Sequence, residues 1–350
     1  MIDSALQQYG ISGNIKVEPF GSGLIHSTWK IITPEQEFIL QKVNTSIFSE
    51  PLRIARNTSL ITGYLKTRHP GYYIPAMIKT RNNELLAGNG SDDVFRLYEY
   101  VSGSHSIDTV SSPDQAYEAS LQFGRFVKNL SAFPIEKIDV VLPGFHDLLS
   151  RHEIFLKAKE KAAAERLAAA KNEIKEASEY SEVLSLYEKI TKSGVFRRRV
   201  MHNDTKISNV LFDESKKGIC VVDLDTVMPG YFMSDAGDMM RTYLSPVNED
   251  VNSLNEIEVR EDVFEGLATG YLDAMADELT KEELDHFVYA GAIMSYMQAL
   301  RFLTDYLEND SYYGAAYPNQ NLDRARNQLT LLRTMMEKKK KLEEIFRKCK

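Results

Sequence analysis

The chain has little cysteine, a single tryptophan and no surplus of positive charge. Its two cysteines, Cys220 and Cys349, lie too far apart to build a disulfide framework, and Cys220 sits in an apolar run as a small hydrophobe. A net charge of -8 argues against a nonspecific grip on nucleic acid or on an anionic membrane. The 7 histidines are scattered without metal-site spacing. There is no internal repeat and no low-complexity linker. The apolar-rich stretch 288–303 is interrupted by Ser295, Gln298 and Arg301, so it is expected to be a buried helix and not a membrane span. The opening residues, Met1 to Gln8, have neither a basic region nor an apolar core, so no signal peptide is expected and the expected location is cytoplasmic. What remains is a globular composition, 43% hydrophobic and 26% charged over 350 residues, enough for one large domain or two lobes.

Read in order, residues 15–20, 25–32 and 38–43 have the look of three strands, separated by a Gly21-Ser22-Gly23 turn and a turn at Pro34. Two glycines between strands let backbone N–H groups approach a phosphate, although a plain hairpin needs the same residues. Pro51 opens a helix over 51–67. Strands are expected over 74–80 and 94–100, with turns at Asn82-Asn83 and Gly88-Asn89-Gly90. The segment from Tyr98 to Gly103 then leaves the sheet for a polar stretch. An amphipathic helix follows over 113–132, and 151–193 predicts a long helical pair. Further helices are expected from 235, over 258–274, 280–308 and 319–348. The triplet Arg197-Arg198-Arg199 reads as a strand edge held by carboxylates, with phosphate binding as the lesser reading.

The most informative stretch is 200–225. His202, Asp204 and Asn209 have the spacing His-x-Asp-x-x-x-x-Asn of a kinase catalytic loop. Apolar runs at 210–212 and 219–222 read as two short strands joined by a charged turn, the second ending in Asp223-Leu224-Asp225. A carboxylate that accepts a hydroxyl proton, an amide and a second carboxylate that ligate a metal are the parts phosphoryl transfer needs. The strings 202–213, 222–230 and 235–241 resemble the aminoglycoside phosphotransferase and choline kinase superfamily, and within it the N-acetylhexosamine 1-kinase branch.

That resemblance implies an α+β, protein-kinase-like bilobal fold. It places a small antiparallel-sheet nucleotide lobe at 1–101 and a mostly helical lobe with the catalytic loop and substrate site at 102–350. It implies ATP and Mg2+ as cofactors and a small-molecule acceptor, an amino sugar. Asp204 would take the acceptor proton, and Asn209 and Asp223 would hold the metal. Asp225 would add to the metal or touch substrate. Lys206 fits either neutralisation of the moving phosphoryl group or a solvent-facing lysine. Gly21, Ser22 and Gly23 would cover the nucleotide, and the hinge backbone at Glu99 and Val101 would meet adenine. His26, Tyr243, Arg301 and Tyr313 would line the sugar pocket, though Arg301 and Asp305 also have the spacing of an internal helical pair. Asp235 would hold the catalytic-loop backbone.

One departure stands out. The usual lysine of the third strand is replaced by Gln41, and Lys42 points to the other face of the strand. The phosphate cation is therefore expected from Arg56, from Lys42 after a shift of register, or from no residue at all. Two function classes stay open, a small-molecule kinase and a nucleotide-binding protein of kinase fold without transfer activity. Choline, aminoglycosides, homoserine and methylthioribose stay open as acceptors. The base preference and the oligomeric state are likewise open.

Overall fold

Period-two patterning in the first hundred residues gives way to helical patterning, and the architecture divides accordingly. The structure, a computed structural model, describes residues 1–21, 25–88 and 93–350. Helix α1 (Ile2–Tyr9) precedes strands β1 (Lys16–Pro19), β2 (Ser27–Ile32) and β3 (Glu37–Lys42). Helix α2 (Pro51–Arg68) follows, and then β4 (Met77–Ile78), β5 (Ala87–Gly88) and β6 (Val94–Glu99). The strands form one antiparallel sheet in the order β1-β2-β3-β6-β4, with β5 also paired to β6.

Strand alternation decides which residues can reach a site. Phe38, Leu40, Phe95 and Leu97 share one face and pack on Ala5, Leu6 and Tyr9 of α1. Gln41 stands opposite Arg96 on the other face. Helix α2 belongs to both halves. Its Ile61 and Leu65 join the large core of the helical part, and its Asn57 side chain donates to the carbonyl of Asp139 at 2.9 Å.

The helical part begins with α3 (Pro113–Asn129), capped where Ser112 Oγ accepts from Gln115 N at 3.3 Å. It continues with α4 (Leu148–Lys161), α5 (Ala164–Ala169), α6 (Lys171–Glu179) and α7 (Ser181–Ser193). Short strands β7 (Arg198–Met201), β8 (Val210–Phe212), β9 (Gly218–Val221) and β10 (Met228–Tyr231) come next, with β7 paired to β10 and β8 to β9. Helices α8 (Phe232–Tyr243), α9 (Glu261–Met275), α10 (Lys281–Asp285), α11 (Phe287–Leu307) and α12 (Gln320–Cys349) complete the chain.

Helix α11 is the axis of this half, and all of its residues except Tyr289 and Arg301 are buried. A helix apolar on every side is a core element when other helices surround it. Among the described residues no helix is long and apolar enough to cross a membrane. Close approach of α8 needs Gly237, where an added Cβ would lie 2.3 Å from the carbonyl oxygen of Ala290.

The single long helical pair expected over 151–193 is instead four helices. Ala162 and Ala163 leave helical geometry, with ψ of 148 and 142, and the chain wraps around α11. Buried Ala170 and Ala177 make that contact, and Tyr296 donates to the Ala177 carbonyl at 3.0 Å. Good helix formers set no length when tertiary packing requires a bend. The helix expected over 280–308 is likewise split at His286, after a capping box formed by Thr280 and Glu283.

Candidate active site

The loop after β7 is held from beneath by the start of α8. Asp235 accepts the backbone N–H of His202 at 3.0 Å and of Asn203 at 2.7 Å. Asp238 accepts Thr205 N at 2.8 Å. Asn203 adopts φ 63, a left-handed conformation, and its amide donates to the carbonyls of Met201 and Thr226 at 3.1 and 3.0 Å. Such a conformation persists only where its surroundings over-determine it. His202 is fully buried, donates from Nε2 to the Val222 carbonyl at 3.0 Å and packs edge-on against Phe123. Burial raises the Asp235 carboxyl to about 6, and its bonds to the two N–H groups oppose that rise.

Asp204 stands clear of this cradle, with its side chain 25% exposed. Asn209 Nδ2 donates to the Asp204 carbonyl at 2.9 Å and to its carboxylate at 3.1 Å. Lys206 Nζ lies 3.4 Å from Asp204, and that carboxylate holds the ammonium pKa above its ordinary value.

Asp223 and Asp225 lie two residues apart in opposite circumstances. Asp223 has φ 61, faces solvent, and has no hydrogen bond or ion pair among the described residues. Desolvation raises its carboxyl to about 6, with repulsion from Asp225 and Asp204 adding to the effect. The Oδ1 of Asn209 is also unpartnered among the described residues, because the amide turns its nitrogen toward Asp204. An open carboxylate and an open amide oxygen have the donor chemistry of a hard-cation site. No group of three or more His, Cys, Asp or Glu among the described residues forms a complete metal cage, so further ligands would have to be phosphate and water.

Asp225, expected to add to the metal or touch substrate, is engaged by protein groups on both oxygens. Arg96 binds both its oxygens, Nη2 to Oδ2 at 2.9 Å and Nη1 to Oδ1, and His26 Nε2 donates to Oδ2 at 2.7 Å. Burial alone would raise its pKa, but Arg96 and His26 hold it well below the usual carboxylate range. His26 is corrected by the same geometry. Its Nδ1 accepts Asn44 N at 3.1 Å and its ring stacks on Phe48, so both nitrogens are taken by protein and none is left for a sugar.

Arg96 is the cation that reading the sequence missed. It is 2% exposed, beside the Tyr98 ring, and donates from Nε to Gln41 Oε1 at 3.0 Å. Burial would lower its pKa, but Asp225 raises it further above the ordinary value. The residue replacing the strand lysine therefore binds a guanidinium one strand away. Lys42 and Arg56, the two residues expected to take the place of that lysine, lie elsewhere than beside Gln41 and Arg96. The β3 register runs unbroken from Phe38 to Lys42, and Lys42 pairs with Asp93 at 2.6 Å on the α1 face. Arg56 is exposed with Arg53 and Leu60 on the outer side of α2, whose inward positions are Ile54, Asn57 and Ile61.

Of the glycine turn, Gly21 has φ 77, while Ser22 and Gly23, like Asn89 and Gly90 of the second turn, lie outside the described residues. Glu99 ends β6. The Val101 carbonyl accepts Ser104 Oγ at 2.6 Å, and its N–H has no partner among the described residues. The Arg197–Arg199 triplet is structural at Arg199, which forms a buried pair with Glu283 at 2.7 and 2.9 Å.

A cluster of cationic and aromatic groups gathers around Arg301. Arg301 sits over Phe145, Tyr313 and Tyr312 at 5.0, 5.4 and 6.0 Å, and donates to Gln298 at 3.1 Å. The alternative pair with Asp305 is not formed, because Asp305 accepts the N–H groups of Tyr312 and Tyr313 at 2.6 and 2.9 Å and the Asn321 amide. Tyr313 is also bonded by Gln298 at 3.3 Å. Tyr243, expected to line the sugar pocket, is fully buried and donates to the Thr205 carbonyl at 2.8 Å, bracing the loop that carries Asp204. His146 and Arg151 were not legible in the sequence, having no motif. His146 feels Asp204, Arg241 and Arg301. Burial and the two guanidinium groups push it down to about 3, so it is neutral. Burial and Arg301 lower Arg151.

Comparison with known proteins identifies the family and the fold. A family model described as "Phosphotransferase enzyme family" matches residues 16–277. The fold is similar to that of a microcompartment-associated aminopropanol kinase, with TM-score 0.67, 15% identity and 98% of each chain covered. It is also similar to an aminoglycoside phosphotransferase from Alicyclobacillus acidocaldarius, with TM-score 0.62, 14% identity, and 98% of this chain and 96% of that one covered. Plasmodium vivax ethanolamine kinase gives 0.56 at 12% identity, over 93% of this chain and 86% of that one. With the family model spanning well over half its length, and a sheet and helical half meeting at Asp204, Asn209 and Asp223, the chain belongs to the phosphotransferase enzyme family.

Proposed function

We propose that the chain is an ATP-dependent small-molecule kinase that phosphorylates the anomeric hydroxyl of N-acetylglucosamine or N-acetylgalactosamine to give the sugar 1-phosphate. In this reading residues 1–101 bind the nucleotide and 102–350 carry the catalytic loop and acceptor site. Asp204 orients the anomeric hydroxyl and takes its proton as the oxygen attacks the terminal phosphorus in line, and ADP leaves. Lys206 balances charge on the moving phosphoryl group. Asn209 and Asp223 would hold Mg2+, which when bound neutralises phosphate charge.

The observation that supports the acceptor class is the wall of groups around Arg301, whose His146 feels the charge of Asp204. Its polar groups are Arg301, Arg151, Gln298, Tyr313 and neutral His146, and its carboxylates are occupied. Glu249 is paired with Arg241 at 2.6 Å and Asp305 with loop N–H groups. An amino alcohol or an aminoglycoside brings ammonium groups that need open carboxylates or a cation-free aromatic face. A neutral sugar with an acetamido group needs hydrogen-bond donors and acceptors, and those are what the wall offers. Phosphorus NMR of the product, with ADP release measured over a panel of hexosamines, ethanolamine, choline and aminoglycosides, tests the reading. The expected result is a sugar 1-phosphate, with acceptor KM rising on Arg301→Ala while ATP KM holds. Turnover on amines alone would overturn the acceptor. No ADP release with any acceptor would leave a nucleotide-binding protein without transfer activity.

A further inference from the structure

The charges that join the sheet to the helical half are concentrated at one carboxylate. Asp225 receives Arg96 from β6 and His26 from the segment before β2, both from the sheet side. Arg96 is aimed by Gln41, whose own amide nitrogen donates to Thr28 at 3.2 Å, and His26 is aimed by Asn44 N at 3.1 Å. Three neighbouring strands, β2, β3 and β6, thus supply the Thr28–Gln41–Arg96 chain that ends on Asp225. One residue, Leu224, separates Asp225 from Asp223, and Asp223 is strained at φ 61 with no partner of its own among the described residues. Nothing else described holds the Asp223 carboxylate in place. Its direction is set by the chain that Asp225 anchors.

We propose that Arg96 is a positioning residue. Through its two-pronged grip on Asp225 it sets the carboxylate of Asp223 relative to the nucleotide-bearing sheet, taking over from β6 the coupling that a β3 lysine would provide. Arg96 is 2% exposed and three of its nitrogens are engaged, so it acts through Asp225 and does not touch phosphate. Lysine at 96 would keep the charge but lose the fork that fixes the angle of the carboxylate. The inference rests on Asp223 being a metal ligand.

Outer partners of a metal ligand typically change metal affinity by ~10- to 100-fold when removed. The test is Mn2+ binding to the protein–ADP complex, followed by electron paramagnetic resonance, alongside metal-free ADP affinity and thermal unfolding. Arg96→Lys is expected to weaken Mn2+ by about 10-fold or more at unchanged metal-free ADP affinity. Arg96→Gln strands the buried Asp225 charge and can unfold the chain, so Arg96→Gln is paired with Asp225→Asn, which removes both charges. The double variant is expected to recover its melting temperature and keep the weakened Mn2+ binding. If it recovers both, Arg96 only offsets the Asp225 charge and the proposal fails. If Arg96→Lys lowers metal-free ADP affinity, Arg96 contacts phosphate and the proposal fails as well. Asp223→Ala is the control: unchanged Mn2+ binding there would overturn the metal reading itself, independently of Arg96.

Discussion

Replacing Asp235 by asparagine sets two effects of known sign against each other. The wild-type carboxylate is fully buried and accepts two backbone N–H groups of the catalytic loop, at 3.0 and 2.7 Å. An asparagine of the same shape keeps one acceptor oxygen and turns an NH2 group toward the other N–H. Losing one hydrogen bond to a charged acceptor costs roughly 1.5–3 kcal/mol. Against this, the wild-type carboxyl is raised by burial from 3.8 to about 6. The native state therefore binds this proton more tightly than the unfolded chain, and wild-type stability falls as pH rises from near 3.8 through about 6. Across the whole window the loss is roughly 3 kcal/mol, of which about 2 kcal/mol falls between ~pH 4.5 and ~pH 8. Asparagine has no such loss. Urea unfolding of both proteins at the two pH values cancels every other titrating group in the difference. Asp235→Asn should be destabilising near pH 4.5 and less so by about 2 kcal/mol near pH 8. At both values turnover should fall by about 100-fold, because Asp204 rides on the loop that has lost its anchor. A stability difference that stays constant with pH would refute the argument, since it would mean the N–H bonds fully offset the cost of burial.

Two further outcomes follow from the geometry. Asp204→Asn should lower turnover by ~100- to 10,000-fold, with ATP affinity measured by titration calorimetry largely kept; near wild-type turnover would remove Asp204 from the chemistry. Lys42→Ala and Arg56→Ala should each leave the KM for ATP within about twofold, since one side chain is bound to Asp93 and the other lies on the outer face of α2. A large rise in that KM for either variant would show that its side chain reaches the nucleotide phosphates after all.

The sequence by itself determined the small sheet, the central buried helix and the loop on which the candidate catalytic residues sit. His202, Asp204, Asn209 and Asp223 lie within twenty-two residues, and the apolar runs on either side fix them at strand ends. Helix α11 was legible because a stretch apolar on all sides, broken only by Ser295, Gln298 and Arg301, has to be surrounded by other helices. Even the missing strand lysine was visible at Gln41, since alternation puts Lys42 on the opposite face. What answers that absence was not visible. Arg96 is 55 positions from Gln41 and 129 from Asp225, and they meet only because β6 pairs with β3 in one register and the Asp223–Asp225 turn lies beneath both. No local pattern states a register between distant strands, and a one-residue slip would have turned Arg96 to the α1 face. Asp225, His26 and Tyr243 have protein partners that were not legible for the same reason. Their residue types fit a ligand site, but whether a carboxylate, a ring nitrogen or a hydroxyl is free depends on which neighbours the tertiary structure has already bonded to it.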